Sequence, residues 1–188
     1  MGVTVMRLFI AVNFNDEIKS RLLQIQERIR ERSLKGNFSR LENLHLTLVF
    51  LGETPEDQVP AIRAIMAGAR RALSVREFTL DFTRTGCFRH SNKELWWIAA
   101  DKADPGLCAL TELRRYITDG LLQAGIAFDN RPFNAHITLG REIKHLSPIV
   151  LPDETITAPI DRISLMKSEH INTTLVYTGI FTLDLGRE

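Results

Sequence analysis

The 188-residue chain holds only two cysteines, Cys87 and Cys108, without CxxC spacing. That excludes a disulfide scaffold and points to a reducing compartment. No charge sign dominates: 24 Lys+Arg against 23 Asp+Glu leaves +1, too weak a field for non-specific duplex binding, which rests on many phosphate contacts. Residues 1–94 carry 15 basic and 11 acidic side chains, and residues 95–188 carry 9 and 12, so a small anion held by a few placed groups stays open. Long apolar runs are missing as well. Arg7, His45 and Asp101 interrupt the best candidates well short of the ~18 residues of a membrane span, so no membrane partner is expected. The N-terminus shows no basic stretch leading into an unbroken apolar one, and Met6 stands where a myristoylation signal needs Ser or Thr. A cytoplasmic protein is expected. Composition is otherwise ordinary, 44% hydrophobic and 25% charged, which excludes a disordered or collagen-like chain. A chain of this length folds on its own core, as one domain or two interlocked lobes.

Periodicity supplies the elements. Arg7–Asn13 reads as a buried strand. Asn15-Asp-Glu17 opens a helix to about Arg32 with Ile18, Leu22, Ile25 and Ile29 inward. Ser33–Glu42 reads as a polar loop and Leu44–Leu51 as a strand closed by Gly52. Thr54-Pro-Glu-Asp57 opens a second helix carrying Val59, Ile62, Ile65, Ala69 and Leu73. Phe78–Thr83 alternates as a half-buried strand, followed by a polar loop Gly86–Lys93 and a hairpin partner Leu95–Ala100. Asp104-Pro-Gly106 opens a third helix, with Leu107, Leu110, Leu113, Ile117 and Leu121 inward, ending at Gly125. Strands follow near Asn134–Gly140, Ile160–Ser168 and Thr174–Leu183. The pattern lacks the regular βα alternation of a parallel sheet, so the fold class is α+β with largely antiparallel sheets and helices on their outer faces.

One hexapeptide repeats. Asn43-Leu-His45-Leu-Thr47-Leu48 returns as Asn134-Ala-His136-Ile-Thr138-Leu139, although the chain has only five histidines. On a strand, residues i and i+2 share a face, so each His stands beside its Thr while the flanking apolar residues face the core. Two such strands facing each other place two imidazoles and two hydroxyls around one cleft. That set suits phosphoryl chemistry on an ester: one His takes a proton from the attacking oxygen and the other gives one to the leaving oxygen, while the hydroxyls hold non-bridging oxygens. One His-x-Thr alone is an ordinary strand feature; the duplication is what favours function. Zinc fits poorly, because two His are two ligands where three or four are wanted.

Arg7-Leu-Phe-Ile-Ala-Val12, Asn43–Glu53, Arg131–Arg141 and Ile163–Ser168 followed by Tyr177 together resemble the two-histidine phosphoesterase superfamily, most closely its RNA 2′,3′-cyclic phosphodiesterase branch, historically described as 2′-5′ RNA ligases. The resemblance spans nearly the whole chain. Ala135 departs from it, since many relatives have proline there, which bears on how the strand begins rather than on chemistry. It implies one two-lobed domain over residues 1–188, with two pseudo-symmetric antiparallel sheets around a central cleft. It implies hydrolysis of RNA or nucleotide 2′,3′-cyclic phosphates to 2′-phosphates, without metal or other cofactor. His45 would be the proton donor and His136 the proton acceptor, with Thr47, Thr138 and Arg141 binding phosphate. Ideal alternation aims Arg141 away from the cleft, but Gly140 permits a bulge that re-aims it. Phe133 is either a core aromatic or a base-stacking platform. Phe88–Lys93 is either a solvated hairpin loop or a contact to an RNA backbone. Trp96 and Trp97 read as packing residues, and His145 and His170 receive no role.

Two function classes remain: an enzyme on cyclic-phosphate RNA ends or 2′-5′ linkages, with ligation as the reverse, or an RNA- or nucleotide-binding module without turnover. Both motifs are intact, which favours the enzyme.

Overall fold

The structure, a computed structural model, describes residues 4–72, 77–90, 93–145, 149, 151 and 154–186. Three α-helices and nine strands are present among the described residues. In one arm, β1 (Val5–Asn13) lies between β3 (His45–Pro55) and β8 (Arg162–Ile171), and β8 forms a hairpin with β9 (Thr174–Asp184). The other arm runs β7 (Ile156–Ile160), β4 (Phe78–His90), β5 (Lys93–Ala100), β6 (His136–His145). All pairings are antiparallel. The arms meet where β3 touches β6, giving the order β7-β4-β5-β6-β3-β1-β8-β9. Leu46 opposite Ile137 is the one laddered pair at that junction. The two expected sheets are thus two arms of a single nine-stranded sheet, one strand of which pairs with β6 off this order.

Asp161 alone connects β7, at one end of this order, to β8 near the other. The sheet must therefore curl until its ends nearly meet. Sequence periodicity reads Ile160–Ser168 as one strand because both pieces bury apolar residues in the same core; it cannot register that the chain changes partners at Asp161. A second difference lies at Ser33–Glu42. Part of it is β2 (Ser33–Phe38), which pairs with β6 from Gly140 to His145, along the stretch of that edge beyond the start of β3 at His45. Its residues are polar because pairing with an available edge, rather than burial, makes it a strand. β4 also extends to His90, so the expected Gly86–Lys93 loop is mostly hairpin.

The helices cover the sheet face that carries Leu46, Leu48, Ile137 and Leu139. In α1 (Asp16–Glu31) the Asn15 side chain caps the backbone N–H of Ile18, and Ile18, Leu22, Ile25 and Ile29 are buried. α2 (Val59–Ala72) buries Val59, Ile62, Met66 and Ala69; Leu73 lies outside the described residues. α3 (Pro105–Gln123) starts at Asp104, whose carboxylate accepts from Gly106 N–H at 2.7 Å and from Asp81 N–H on β4 at 2.5 Å. It stops at Gly125, whose φ of +68° suits glycine.

Gln26 interrupts the apolar face of α1 and is 2% exposed. Its Nε2 donates to Ser39 O at 2.7 Å and to Leu139 O at 2.8 Å. Ser39 N–H donates to Leu139 O at 2.9 Å, and Ser39 Oγ to Thr138 O at 2.8 Å. These bonds satisfy carbonyls at a place where β6 departs from regular pairing: Thr138 faces Trp97, but Gly140 already faces Trp96, so β6 holds one extra residue. Replacing Gln26 by Leu keeps the volume and removes both donors. Leu139 O keeps the Ser39 N–H, but Ser39 O loses its donor; an unpaired, partly buried acceptor costs up to ~1–3 kcal/mol, so Gln26→Leu is expected to lower the urea midpoint. An unchanged midpoint would show that Gln26 is not holding this segment.

Candidate active site

The two motifs occupy strands whose Leu46 and Ile137 are opposed. The register set by that pair puts His45 across from Thr138 and Thr47 across from His136. Leu46 and Ile137 are fully buried, so alternation turns all four functional side chains to the other face. The result is a quadrilateral with histidines on one diagonal and threonines on the other. Ideal sheet spacings give a His–His Cα diagonal of ~8 Å.

Each imidazole is held in the same way. His45 Nδ1 lies 2.7 Å from Asn43 O, and His136 Nδ1 lies 2.8 Å from Asn134 O. A carbonyl only accepts, so Nδ1 carries the hydrogen in both rings, and each Nε2 is left for the cleft. The acceptor in each case is the backbone carbonyl of the repeated Asn two positions before the His. The Asn43 side chain does other work, donating to Leu175 O at 3.0 Å.

The surroundings of the two rings differ. His45 Nε2 is 2.9 Å from Thr47 Oγ1. Its ring lies 4.9 Å from Phe9 and 5.3 Å from Tyr177, the latter edge-on. Burial lowers its pKa from 6.5 to about 4; the bond to Asn43 opposes this, and the charges of Arg141 and Lys19, with the neighbouring His136, push the same way as burial. The Tyr177 hydroxyl is raised by burial, with Arg141 and Arg7 acting against the shift. His136 has a looser aromatic contact, the exposed Phe88 edge-on at 5.8 Å.

Arg141 lies beyond the extra residue of β6. That bulge resets the alternation, and Arg141 lines the same cavity as His45, Thr47, His136 and Thr138. Among the described residues no carboxylate pairs with it. The cavity measures about 810 Å³. A smaller one of about 190 Å³, lined by Asn37–Arg40 and Asn43, shares His45, Thr138, Arg141 and Tyr177 with it. Phe133 lines neither; it packs half-buried against the core with the Arg114 guanidinium 5.1 Å from its ring centroid. Arg7, Phe9 and His170, which received no role from the sequence, also line the larger cavity, and Phe88, at the start of the segment read as a solvated loop or an RNA contact, lies against His136. The signal for Arg7 and Phe9 was available, because both share one face of β1 with Ala11 while Leu8, Ile10 and Val12 face the core. His145 lies on the other side of the sheet from the cleft, against Glu94 at 2.9 Å. No group of three or more His, Cys, Asp or Glu converges as a metal site among the described residues, and none of their helices is long and apolar enough to cross a membrane.

Two imidazoles, two hydroxyls and a guanidinium with no carboxylate partner among the described residues stand around one cavity, a set chemically able to hold an anion and to move protons at two points. The LigT like phosphoesterase family matches residues 12–97. The RNA 2′,3′-cyclic phosphodiesterase of Thermus thermophilus is 32% identical over 97% of this chain and 92% of its own length. That of Thermotoga maritima is 28% identical over 93% and 90%. The chain belongs to the LigT-like family of two-histidine phosphoesterases. The crystal structure of Escherichia coli LigT in its apo form shares the fold, with a TM-score of 0.79 at 24% identity over 97% of this chain and 99% of that one.

The His45 shift has a stability consequence. Between pH 6.5 and about 4 the unfolded chain binds a proton at this residue that the folded chain does not. Stability is therefore lost as pH falls through that window, and the group has no effect above it. His45→Gln removes the penalty. Denaturation at pH 7 and pH 4.5 is expected to show the variant gaining on the wild type by roughly 1–3 kcal/mol at the lower pH. Parallel losses in both proteins would contradict this.

Proposed function

We propose that the chain is a metal-independent RNA 2′,3′-cyclic phosphodiesterase that yields 2′-phosphates. The carrying observation is the His–Thr quartet around the Leu46–Ile137 pair, with both Nδ1 atoms committed to Asn carbonyls and Arg141 in the same cavity. A diagonal pair of histidines matches an in-line displacement, in which entering and leaving oxygens stand on opposite sides of phosphorus. His136 Nε2 takes a proton from water as its oxygen attacks. The P–O3′ bond breaks, and His45 Nε2 gives its proton to O3′. Thr47, Thr138 and Arg141 hold the non-bridging oxygens, whose charge redistributes in the transition state.

Burial of His45 fits the donor role. An imidazolium that burial disfavours releases its proton readily, and the anionic phosphate supplies the charge that lets it form on binding. The relatives' names give the substrate class: each is called an RNA 2′,3′-cyclic phosphodiesterase. The partner is an RNA end or nucleotide bearing the cyclic phosphate, met in the cytoplasm, where Cys87 and Cys108 stay thiols. Two arms acting as one unit, each giving one motif, complete the reading.

The test is incubation of an oligonucleotide ending in a 2′,3′-cyclic phosphate in EDTA, with the 2′- and 3′-phosphate products resolved. The expected result is the 2′-phosphate at an unchanged rate. Loss of turnover in EDTA restored by Zn²⁺ or Mn²⁺, or binding without turnover, would reject the proposal. Thr47→Val and Thr138→Val keep the strand shape and remove one hydrogen bond to a charged group, worth about 1.5–3 kcal/mol. Each is expected to lower kcat/KM at least tenfold, and wild-type kinetics in both would show that the hydroxyls do not touch phosphate.

A further inference from the structure

The cavity extends well beyond the quartet. Its 810 Å³ lies toward the upper end of the ~300–1,000 Å³ typical of small-ligand sites. It continues past Tyr177 to the outer ends of β1, β3 and the β8–β9 hairpin, where Arg7, Ser168 and His170 form its wall. Arg7 stands two positions before Phe9 on β1, and Ser168 and His170 stand two and four positions after Met166, the residue that packs on Phe9. Alternation therefore gives all three to the cleft face. Arg7 acts on the Tyr177 hydroxyl as Arg141 does, so this wall is electrostatically continuous with the reaction centre.

The carboxylate beside Arg7 is weakly engaged. Glu53 is 3.4 Å away, and both side chains are more than half exposed. Such a pair adds little stability and gives way to a competing anion. The Arg7 guanidinium also lies 5.1 Å from the Phe50 ring centroid, a contact that fixes its place without using its N–H donors. Lys167, at the same rim, is engaged by Glu169.

We propose that this arm is a second phosphate subsite, which holds the phosphodiester one nucleotide upstream of the cyclic phosphate. Arg7 supplies the charge, and Ser168 and His170 supply further hydrogen bonds. The inference rests on the cyclic-phosphate reading above. Because the arm opens directly from the reaction centre, its occupant is part of the substrate, and the next anion along an RNA strand is its phosphodiester. The preferred substrate is then an oligonucleotide terminus rather than a free cyclic nucleotide.

Three substrates separate the alternatives: a 2′,3′-cyclic mononucleotide, a dinucleotide ending in the cyclic phosphate, and that dinucleotide with a neutral methylphosphonate linkage. The wild type is expected to favour the natural dinucleotide over the mononucleotide in kcat/KM by about tenfold or more, the order of one charge-assisted contact. Arg7→Gln removes most of that ratio, Arg7→Lys restores part of it, and the methylphosphonate lacks it in every protein. The salt slope for the natural dinucleotide falls by about 0.7 in Arg7→Gln, the loss of one single-strand phosphate contact. A wild-type ratio near one, or a preference that survives both Arg7→Gln and the methylphosphonate, overturns the subsite. No turnover of any of the three overturns the cyclic-phosphate reading itself, and the subsite with it.

Discussion

Leu46 and Ile137 face each other at the centre of the sheet, fully buried beneath the helices, and the arrangement of the site depends on that pair. Burying them leaves one face for the residues on either side, which are His45, Thr47, His136 and Thr138. A slip of one residue in either strand would carry an imidazole and a hydroxyl into the apolar core. The cost of burying unpaired polar groups thus guards the geometry of the site. The same pair is the narrow seam between the two arms, and the cleft opens where the ladder stops.

A repeated motif does not make two equivalent histidines. Both rings receive the same backbone tether at Nδ1, yet Phe9 and Tyr177 enclose His45 while the exposed Phe88 touches His136 only edge-on. Enclosure disfavours the charged form of His45. Acid–base division between two residues of one type needs such a difference in environment, because intrinsic chemistry gives none. The fifth group, Arg141, reaches the cavity through an irregularity: one extra residue in β6, whose neighbouring carbonyls are met by Gln26 and Ser39.

The sequence was most legible where a periodic signal coincided with burial. The three helices, their caps at Asn15 and Asp104, and the two His-x-Thr strands follow from spacing alone. Legibility failed where pairing decided the outcome. β2 is polar and exists through the β6 edge, and the break at Asp161 is a change of partner that leaves the apolar pattern intact. Gln26 was hidden because a polar residue within an apolar stripe looks like a stray surface residue until its acceptors are known. Closeness to a motif in sequence left Phe133 open between core and cleft, and it packs against the core, whereas Phe9 and Tyr177, which enclose His45, come from distant strands.

In the proposed reaction two diagonal histidines divide proton transfer, His45 giving and His136 taking. Each His→Ala change should cost ~10²–10⁴-fold on a substrate whose leaving oxygen needs a proton. A nitrophenyl phosphodiester removes that need. The decisive measurement is the activity of His45→Ala and His136→Ala on both substrates. The nitrophenyl ester is expected to restore His45→Ala and to leave His136→Ala impaired; restoration of His136→Ala instead, or of neither variant, would contradict this division of roles.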